Sequence, residues 1–292
     1  MIDVTLGIIG GSGLYDLPGL TGEWVRIESP WGRPSDDVLI GTLGDTRVVF
    51  MPRHGRGHRV DPTGINYRAN IDVMKRAGVT DLVSLSAVGS LKEDLPPGTF
   101  VIVDQFIDRT FAREKTFFGE GCVAHVSMAY PTSPQLGDRV EAAAKATGAA
   151  HRRGGTYVAM EGPQFSSLAE SELYRAWGAH VIGMTNMPEA KLAREAEICY
   201  ATVAMVTDFD SWHADHGEVD ITSIIKTMNE NSEAARNLVA ALARATPAQR
   251  APCPGGADTA LQYAIITHPD ARDAALIDKL DAVAGRVLGG GQ

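Results

Sequence analysis

Cysteine is scarce in this chain: only Cys122, Cys199 and Cys253 occur in 292 residues. An odd, widely spaced set builds neither a disulfide framework nor a zinc knuckle, and Cys199, inside an apolar run, reads as a small core residue. Basic residues are also in deficit, 27 Lys and Arg against 36 Asp and Glu, for a net charge of −9. That balance argues against a general nucleic-acid or anionic-membrane partner, so any phosphate has to be met by a local basic site. No apolar stretch approaches the length of a bilayer span. The chain runs straight into Thr5-Leu-Gly-Ile-Ile9 without a basic leader, which points to a cytoplasmic protein. Also missing are the G-x-G-x-x-G spacing of dinucleotide sites and the Walker lysine.

What is present is the composition of an ordinary soluble enzyme, 44% hydrophobic and 22% charged, long enough for one large α/β domain or two small ones. Apolar runs recur near 4–9, 38–42, 47–51, 81–86, 99–104, 156–160, 179–184 and 198–206, most bounded by Gly, Pro or Asp. Helical patterns fall between them at 64–77, 166–177 and 188–197; Ile65, Ala69, Val73 and Ala77 share one stripe of the first. This alternation predicts α/β layers. The pair 38–42 and 47–51 around Leu43-Gly-Asp-Thr46 reads as a hairpin, so the sheet is expected to be mixed. Asp220 is a candidate N-cap for a long helix from Ile221 to about Arg244, with Ile224, Ile225, Met228 and Leu238 on its apolar face. Residues 1–246 read as one domain. Residues 247–292 read as a Pro/Gly connector and an amphipathic helix at 271–288 that must pack back on it, being too short for a core of its own.

The most telling stretch is Cys199–Asp210, an apolar run that ends in two carboxylates. Open α/β sheets place ligands at the carboxyl ends of strands. In extended backbone Asp208 and Asp210 point to the same side, and two like charges in a cleft raise the apparent pKa of the pair. One carboxyl then carries a proton beside an acceptor, although a bare D-x-D also suits a solvated turn or helix cap. Gly10-Gly-Ser-Gly13 after the first strand lets backbone N–H groups and the Ser12 hydroxyl approach an anion. Pro52-Arg-His-Gly-Arg-Gly-His58 concentrates two arginines and two histidines; Arg53 offers a planar fork for an oxyanion and His54 a donor. Ser84-Leu-Ser-Ala87-Val-Gly-Ser90 and Met184-Thr-Asn186 add hydroxyls, an amide and a soft apolar side chain at further strand ends. Glu161-Gly-Pro-Gln-Phe-Ser-Ser167 reads as a strand-to-helix crossing.

These segments, with Asp104-Gln-Phe-Ile-Asp-Arg-Thr110 and Thr207-Asp-Phe-Asp-Ser-Trp212, occur in an order that resembles the 5′-methylthioadenosine phosphorylases, a branch of the trimeric purine nucleoside phosphorylase family. The resemblance spans about residues 5–245. It implies a single α/β domain with a central mixed β-sheet flanked by helices, and a homotrimer, alone or as a dimer of trimers. It implies no metal and no organic cofactor, with inorganic phosphate as co-substrate in purine and methionine salvage. Carried over by position, phosphate is expected at Ser12, Arg53, His54, Ser86, Ala87 (through its backbone) and Thr185. Met184 is expected against the ribose, and Asp208, Phe209 and Asp210 at the purine. The resemblance places the 5′ substituent among Ser166, Val219, Ile221, Ile224, His58 and a neighbouring subunit's His125.

The implied reaction is phosphorolysis of methylthioadenosine, with adenosine and 5′-deoxyadenosine as further candidate substrates. A 6-oxopurine or methylthioinosine phosphorylase, a hydrolase and a silent nucleoside sensor are the competing readings. Relatives acting on 6-oxopurines carry Asn where Asp208 stands, because an amide donates to O6 while a carboxylate accepts from an N6 amine. Asp208→Asn is therefore expected to raise kcat/KM for 6-oxopurine nucleosides relative to adenine nucleosides; an unchanged ratio in a direct comparison contradicts the assignment.

Overall fold

The computed structural model describes all residues except 12, 13, 15, 16, 214–220 and 290–292, and the side chains of 221–224 are likewise outside it. The expected N-cap Asp220 lies outside the described residues. Thirteen strands and seven α-helices are described in the order β1 (Ile2–Asp3), β2 (Leu6–Gly10), β3 (Leu20–Val25), β4 (Val38–Leu43), β5 (Thr46–Pro52), α1 (Tyr67–Arg76), β6 (Asp81–Ser90), β7 (Phe100–Val103), β8 (Gln105–Asp108), α2 (Pro134–Thr147), β9 (His151–Arg153), β10 (Thr156–Ala159), α3 (Leu168–Ala176), β11 (Val181–Gly183), α4 (Asn186–Glu195), β12 (Cys199–Asp208), α5 (Ile221–Ala245), β13 (Gln249–Arg250), α6 (Ala274–Lys279) and α7 (Asp281–Leu288). Among these described residues no helix is long and apolar enough to cross a membrane.

Eleven strands form one mixed sheet, and the expected hairpin is there, with Leu43 opposite Thr46 in antiparallel β4 and β5. Alternation along β5 sends Val48 and Phe50 to one face and Val49 and Met51 to the other. The first face is covered by α2 and α5 through Leu136, Val140, Leu238 and Leu242, the second by α1, α4 and α7 through Ile71, Ala190 and Val283. The result is a three-layer α/β/α domain.

At the centre lies β6. Its Asp81–Leu85 half pairs in parallel with β2, whereas Gly89 and Ser90 pair antiparallel with β11. Residues 86–88 therefore have no strand beside them on that edge, while β12 runs parallel along the other edge from Asp81 to Gly89. A partner exchange of this kind opens a crevice at the carboxyl ends of the parallel strands. The register of β12 slips between Val206 and Asp208, a bulge that re-aims the end of the strand.

Three differences from the sequence expectations have physical causes. The edge strands β3, β8 and β9 have exposed or half-buried residues and lack the continuous apolar run by which a central strand is recognised. Helix α2 opens on Ser133 as N-cap, which accepts from Leu136 N, and presents only a narrow apolar stripe. The segment 271–288 is two short helices instead of one, with Leu280 serving as C-cap of α6 and N-cap of α7. The rest of the carboxy-terminal region is held by pairing and ion contacts. β13 pairs with β1, Arg286 bonds buried Glu197 at 2.6 Å, and Ile265 bridges Ala124.

Gly183, at the end of β11, packs so closely on Tyr157 that a Cβ would stand 2.1 Å from the phenol oxygen. Gly183→Ala is expected to destabilise the fold by about 1–3 kcal/mol through overpacking, read as a lowered urea midpoint with an unchanged slope.

Candidate active site

The crevice beside residues 86–88 is a cleft of about 580 Å³, and strand ends supply most of its wall. Gly11 follows β2, Arg53 and His54 follow β5, Ser86 to Gly89 belong to β6, Met184 and Thr185 follow β11, and Asp208 ends β12. Groups far apart in sequence thus converge on one cavity. Of the expected phosphate ligands, Arg53, His54, Ser86, Ala87 and Thr185 all line it, and Ser12 lies outside the described residues. Among the described residues the Thr185 hydroxyl is buried with no hydrogen-bond partner, so a polar ligand has a donor waiting there.

Arg53 and His54 differ from the expectation in how they present themselves. The Arg53 guanidinium is 1% exposed, and a cation so buried needs a counter-ion. Its fork is taken by Glu189, with Nε donating to Oε2 at 2.7 Å and Nη2 to Oε1 at 3.2 Å. Burial alone would lower the arginine's pKa, and the Glu189 carboxylate outweighs it. His54 is held near 4 by burial and by the adjoining Arg53 charge, so it is neutral at physiological pH. Its Nδ1 lies 2.8 Å from the Val60 carbonyl, which only accepts; Nδ1 therefore carries the proton and Nε2 is an acceptor. His58 stacks on His54 with ring centroids 4.2 Å apart and also lines the cleft.

Asp208 and Asp210 meet in the same cleft by a route other than simple extension. The strand ends at Asp208, and Asp210 adopts a left-handed φ of 48° with its N–H donating to Asp208 Oδ1 at 2.8 Å. Such backbone is costly for a non-glycine residue and persists where the surroundings hold it. Gly89 makes room, since a Cβ there would stand 3.0 Å from Asp208 Oδ1 and 3.1 Å from Asp210 Cβ. Both carboxyl pKa values are raised, as the sequence predicts, but burial is the leading cause; the Asp208 charge is a lesser contribution at Asp210. The Thr207 hydroxyl stands 3.2 Å from Val88 O and 2.7 Å from Asp208 Oδ2. One hydroxyl proton serves one of them, and a protonated Asp208 satisfies both by donating to Thr207.

Phe209 and Ser166 are not among the described lining residues. The Phe209 ring turns away from the cleft to pack on Trp212 and His213, with centroids 5.9 and 4.6 Å away. Ser166 sits behind Asp210, where its hydroxyl eases that carboxyl, and its carbonyl accepts from Ser211. It buttresses the acidic end instead of forming a wall. Ile221 and Ile224 fall in the first turn of α5 with side chains outside the described set, and Val219 is outside it altogether. His125 lines a separate cleft with Lys115, Lys191 and Glu195 and is not among the residues of the first cavity. Lining residues that the sequence reading missed include Met228, four positions after Ile224 on the same helical stripe, and Phe165, Met160 and Ile182. Helical periodicity was the available signal for Met228; nothing local marked the others.

Comparison with known proteins places the chain among phosphorylases. The model of the phosphorylase superfamily matches residues 5–244. An S-methyl-5′-thioadenosine phosphorylase of Bradyrhizobium diazoefficiens is 64% identical over 291 residues, covering 99% of this chain and 100% of that protein. One of Rhodospirillum rubrum is 62% identical, covering 97% of each. Among solved structures, a methylthioadenosine phosphorylase sourced from an antarctic soil metagenomic library superposes with a TM-score of 0.90 at 45% identity, covering 97% of this chain and 99% of that one. The Schistosoma mansoni methylthioadenosine phosphorylase in complex with adenine gives 0.80 at 34%, covering 85% and 93%. With its motifs gathered on one cleft and its sequence matched across most of its length, the chain belongs to the phosphorylase superfamily.

Proposed function

We propose that this protein catalyses the reversible phosphorolysis of S-methyl-5′-thioadenosine to adenine and 5-methylthioribose 1-phosphate, as a pentosyltransferase that uses no metal or organic cofactor. The observation that carries the proposal is the joining, in one cleft, of an oxyanion-type donor set and two carboxyls whose pKa values desolvation raises. Relatives 62% and 64% identical that bear this enzyme name support the substrate.

In the proposed reaction a phosphate oxygen attacks C1′ while the C1′–N9 bond breaks, its electron pair leaving with the purine. The sugar passes through a cationic, oxocarbenium-like state, so a fixed anion below C1′ and a proton for the departing base both lower the barrier. Arg53, Thr185 and the backbone at Ala87 hold the phosphate, and the Ser86 hydroxyl joins them by turning its proton from Asn186 Oδ1 to a phosphate oxygen. His54, neutral with Nε2 as acceptor, takes a hydrogen bond from the proton that phosphate still carries near neutrality. Met184 packs on the ribose. Asp208 donates its proton at N7, and Asp210 keeps Asp208 and the exocyclic amine in register. The apolar side chains of the wall exclude water, which would otherwise compete with phosphate.

With its proton directed at N7, Asp208 has only an acceptor oxygen left for the 6-position, which suits an amine and disfavours a 6-oxo group, and a hydrolase would have no use for the phosphate set. We further propose a cytoplasmic homotrimer, alone or paired as a dimer of trimers, in which His125 reaches a neighbour's 5′ pocket beside His58. Adenosine and 5′-deoxyadenosine are proposed as additional substrates.

Release of adenine from methylthioadenosine is expected to depend on phosphate and to fall to background without it; an equal rate in phosphate-free buffer overturns the proposal. The pH profile has a defined sign. The raised Asp208 pKa keeps the catalytic proton below that pKa and loses it above, so kcat is expected to fall on the alkaline side. Asp208→Asn, slower throughout, is expected to lose that limb; a profile of unchanged shape contradicts the role.

A further inference from the structure

Behind the phosphate-facing wall lies a buried polar network whose inner members, Glu189, Tyr200 and Asn186, do not line the cleft. Glu189, on α4, is fully buried, and besides the Arg53 fork it accepts from the Tyr200 hydroxyl at 2.8 Å. Tyr200 in turn accepts from Asn186 Nδ2 at 2.5 Å, and Asn186 Oδ1 accepts from the Ser86 hydroxyl at 3.0 Å. One connected set thus ends at two groups on the cavity wall, Arg53 and Ser86. A guanidinium carries five N–H donors. Nε is spent on Glu189, Nη2 faces Glu189 Oε1, Ser84 Oγ and Ile9 O, and Nη1 gives one hydrogen to Leu85 O at 2.9 Å. The second Nη1–H has no acceptor among the described residues.

We propose that Glu189 is a positioning residue for phosphorolysis: braced by Tyr200, it fixes the plane of the Arg53 guanidinium so that its one remaining Nη1–H is aimed at the phosphate. The inference rests on the phosphorylase reading of the cleft. Glu189 follows Thr185 by four residues across the kinked start of α4, where Met187 is extended, so one short segment both carries the Thr185 hydroxyl and orients Arg53. A buried ion pair is weak as a source of stability, because an apolar pair of the same volume serves as well. Its continuation through Tyr200 and Asn186 to Ser86 serves orientation.

The test is initial-rate kinetics with phosphate and nucleoside varied independently, on Glu189→Gln and Tyr200→Phe. In Glu189→Gln, an amide N–H replaces one acceptor opposite an arginine N–H and the plane turns. Its kcat/KM for phosphate is expected to fall about tenfold or more, with the nucleoside KM within about twofold of wild type. Tyr200→Phe removes one brace and keeps the carboxylate; a drop of about two- to fivefold in the same parameter is expected. Adenine binding by calorimetry without phosphate is expected to be unchanged in both. Should Glu189→Gln not fold, Tyr200→Phe decides. Wild-type phosphate parameters in a folded variant, or an equal loss for both substrates, overturn the positioning role. The wild-type control separates the two ideas, since phosphate-independent adenine release there means that the phosphorylase reading itself fails.

Discussion

The exchange of partners along β6 is the constraint on which the rest of the structure depends. β2 leaves β6 at Leu85 and β11 joins it at Gly89, so three residues in the middle of a buried sheet have an open edge. Backbone groups there must find other partners, and a ligand is one of the few available inside a three-layer fold. Each strand that turns aside at the gap delivers its end to the same space: Gly11 after β2, Arg53 and His54 after β5, Thr185 after β11. On the intact edge, β12 stays parallel until a bulge at Thr207 turns Asp208 inward. The cleft is therefore a property of the topology, and its chemistry a property of the residues at the strand ends.

Burial then sets the charge state of those residues. Removing carboxyls from water favours their neutral form, which suits Asp208 and Asp210 to hold and return a proton. The same physics forces Arg53 to carry a counter-ion and keeps His54 neutral. In the proposed function, the phosphate-facing end has less free positive charge than Arg53 and His54 imply and would work through directed hydrogen bonds: a buried hydroxyl, one guanidinium N–H and an imidazole acceptor. Such groups need little reorganisation as charge develops on the sugar and base. The supporting network of Glu189, Tyr200 and Asn186 fits that economy of charge.

Much of this was legible in the sequence because central strands are apolar on both faces and end abruptly. The runs 47–51, 81–86 and 198–206 fall on β5, β6 and β12, and the polar residues just after or within them supply most of the polar lining of the cleft. Edge strands such as β3 and β9 were illegible, because their residues meet solvent and keep no periodic signal. Side-chain direction was the other blind spot. Phe209 sits between two lining carboxyls yet turns to Trp212 and His213, because the left-handed turn at Asp210 breaks the alternation that extended backbone would keep. The engagement of Arg53 by Glu189, 136 positions away, depends on how α4 packs and has no local signature.

The central claim is that this open edge of β6 holds a phosphate that replaces the purine on C1′. Its most direct test is ³¹P NMR of the protein with methylthioadenosine and phosphate, followed alongside adenine by absorbance. The account predicts a sugar 1-phosphate resonance that grows one for one with adenine as the phosphate signal declines. Adenine appearing while the phosphate signal stays constant would contradict it.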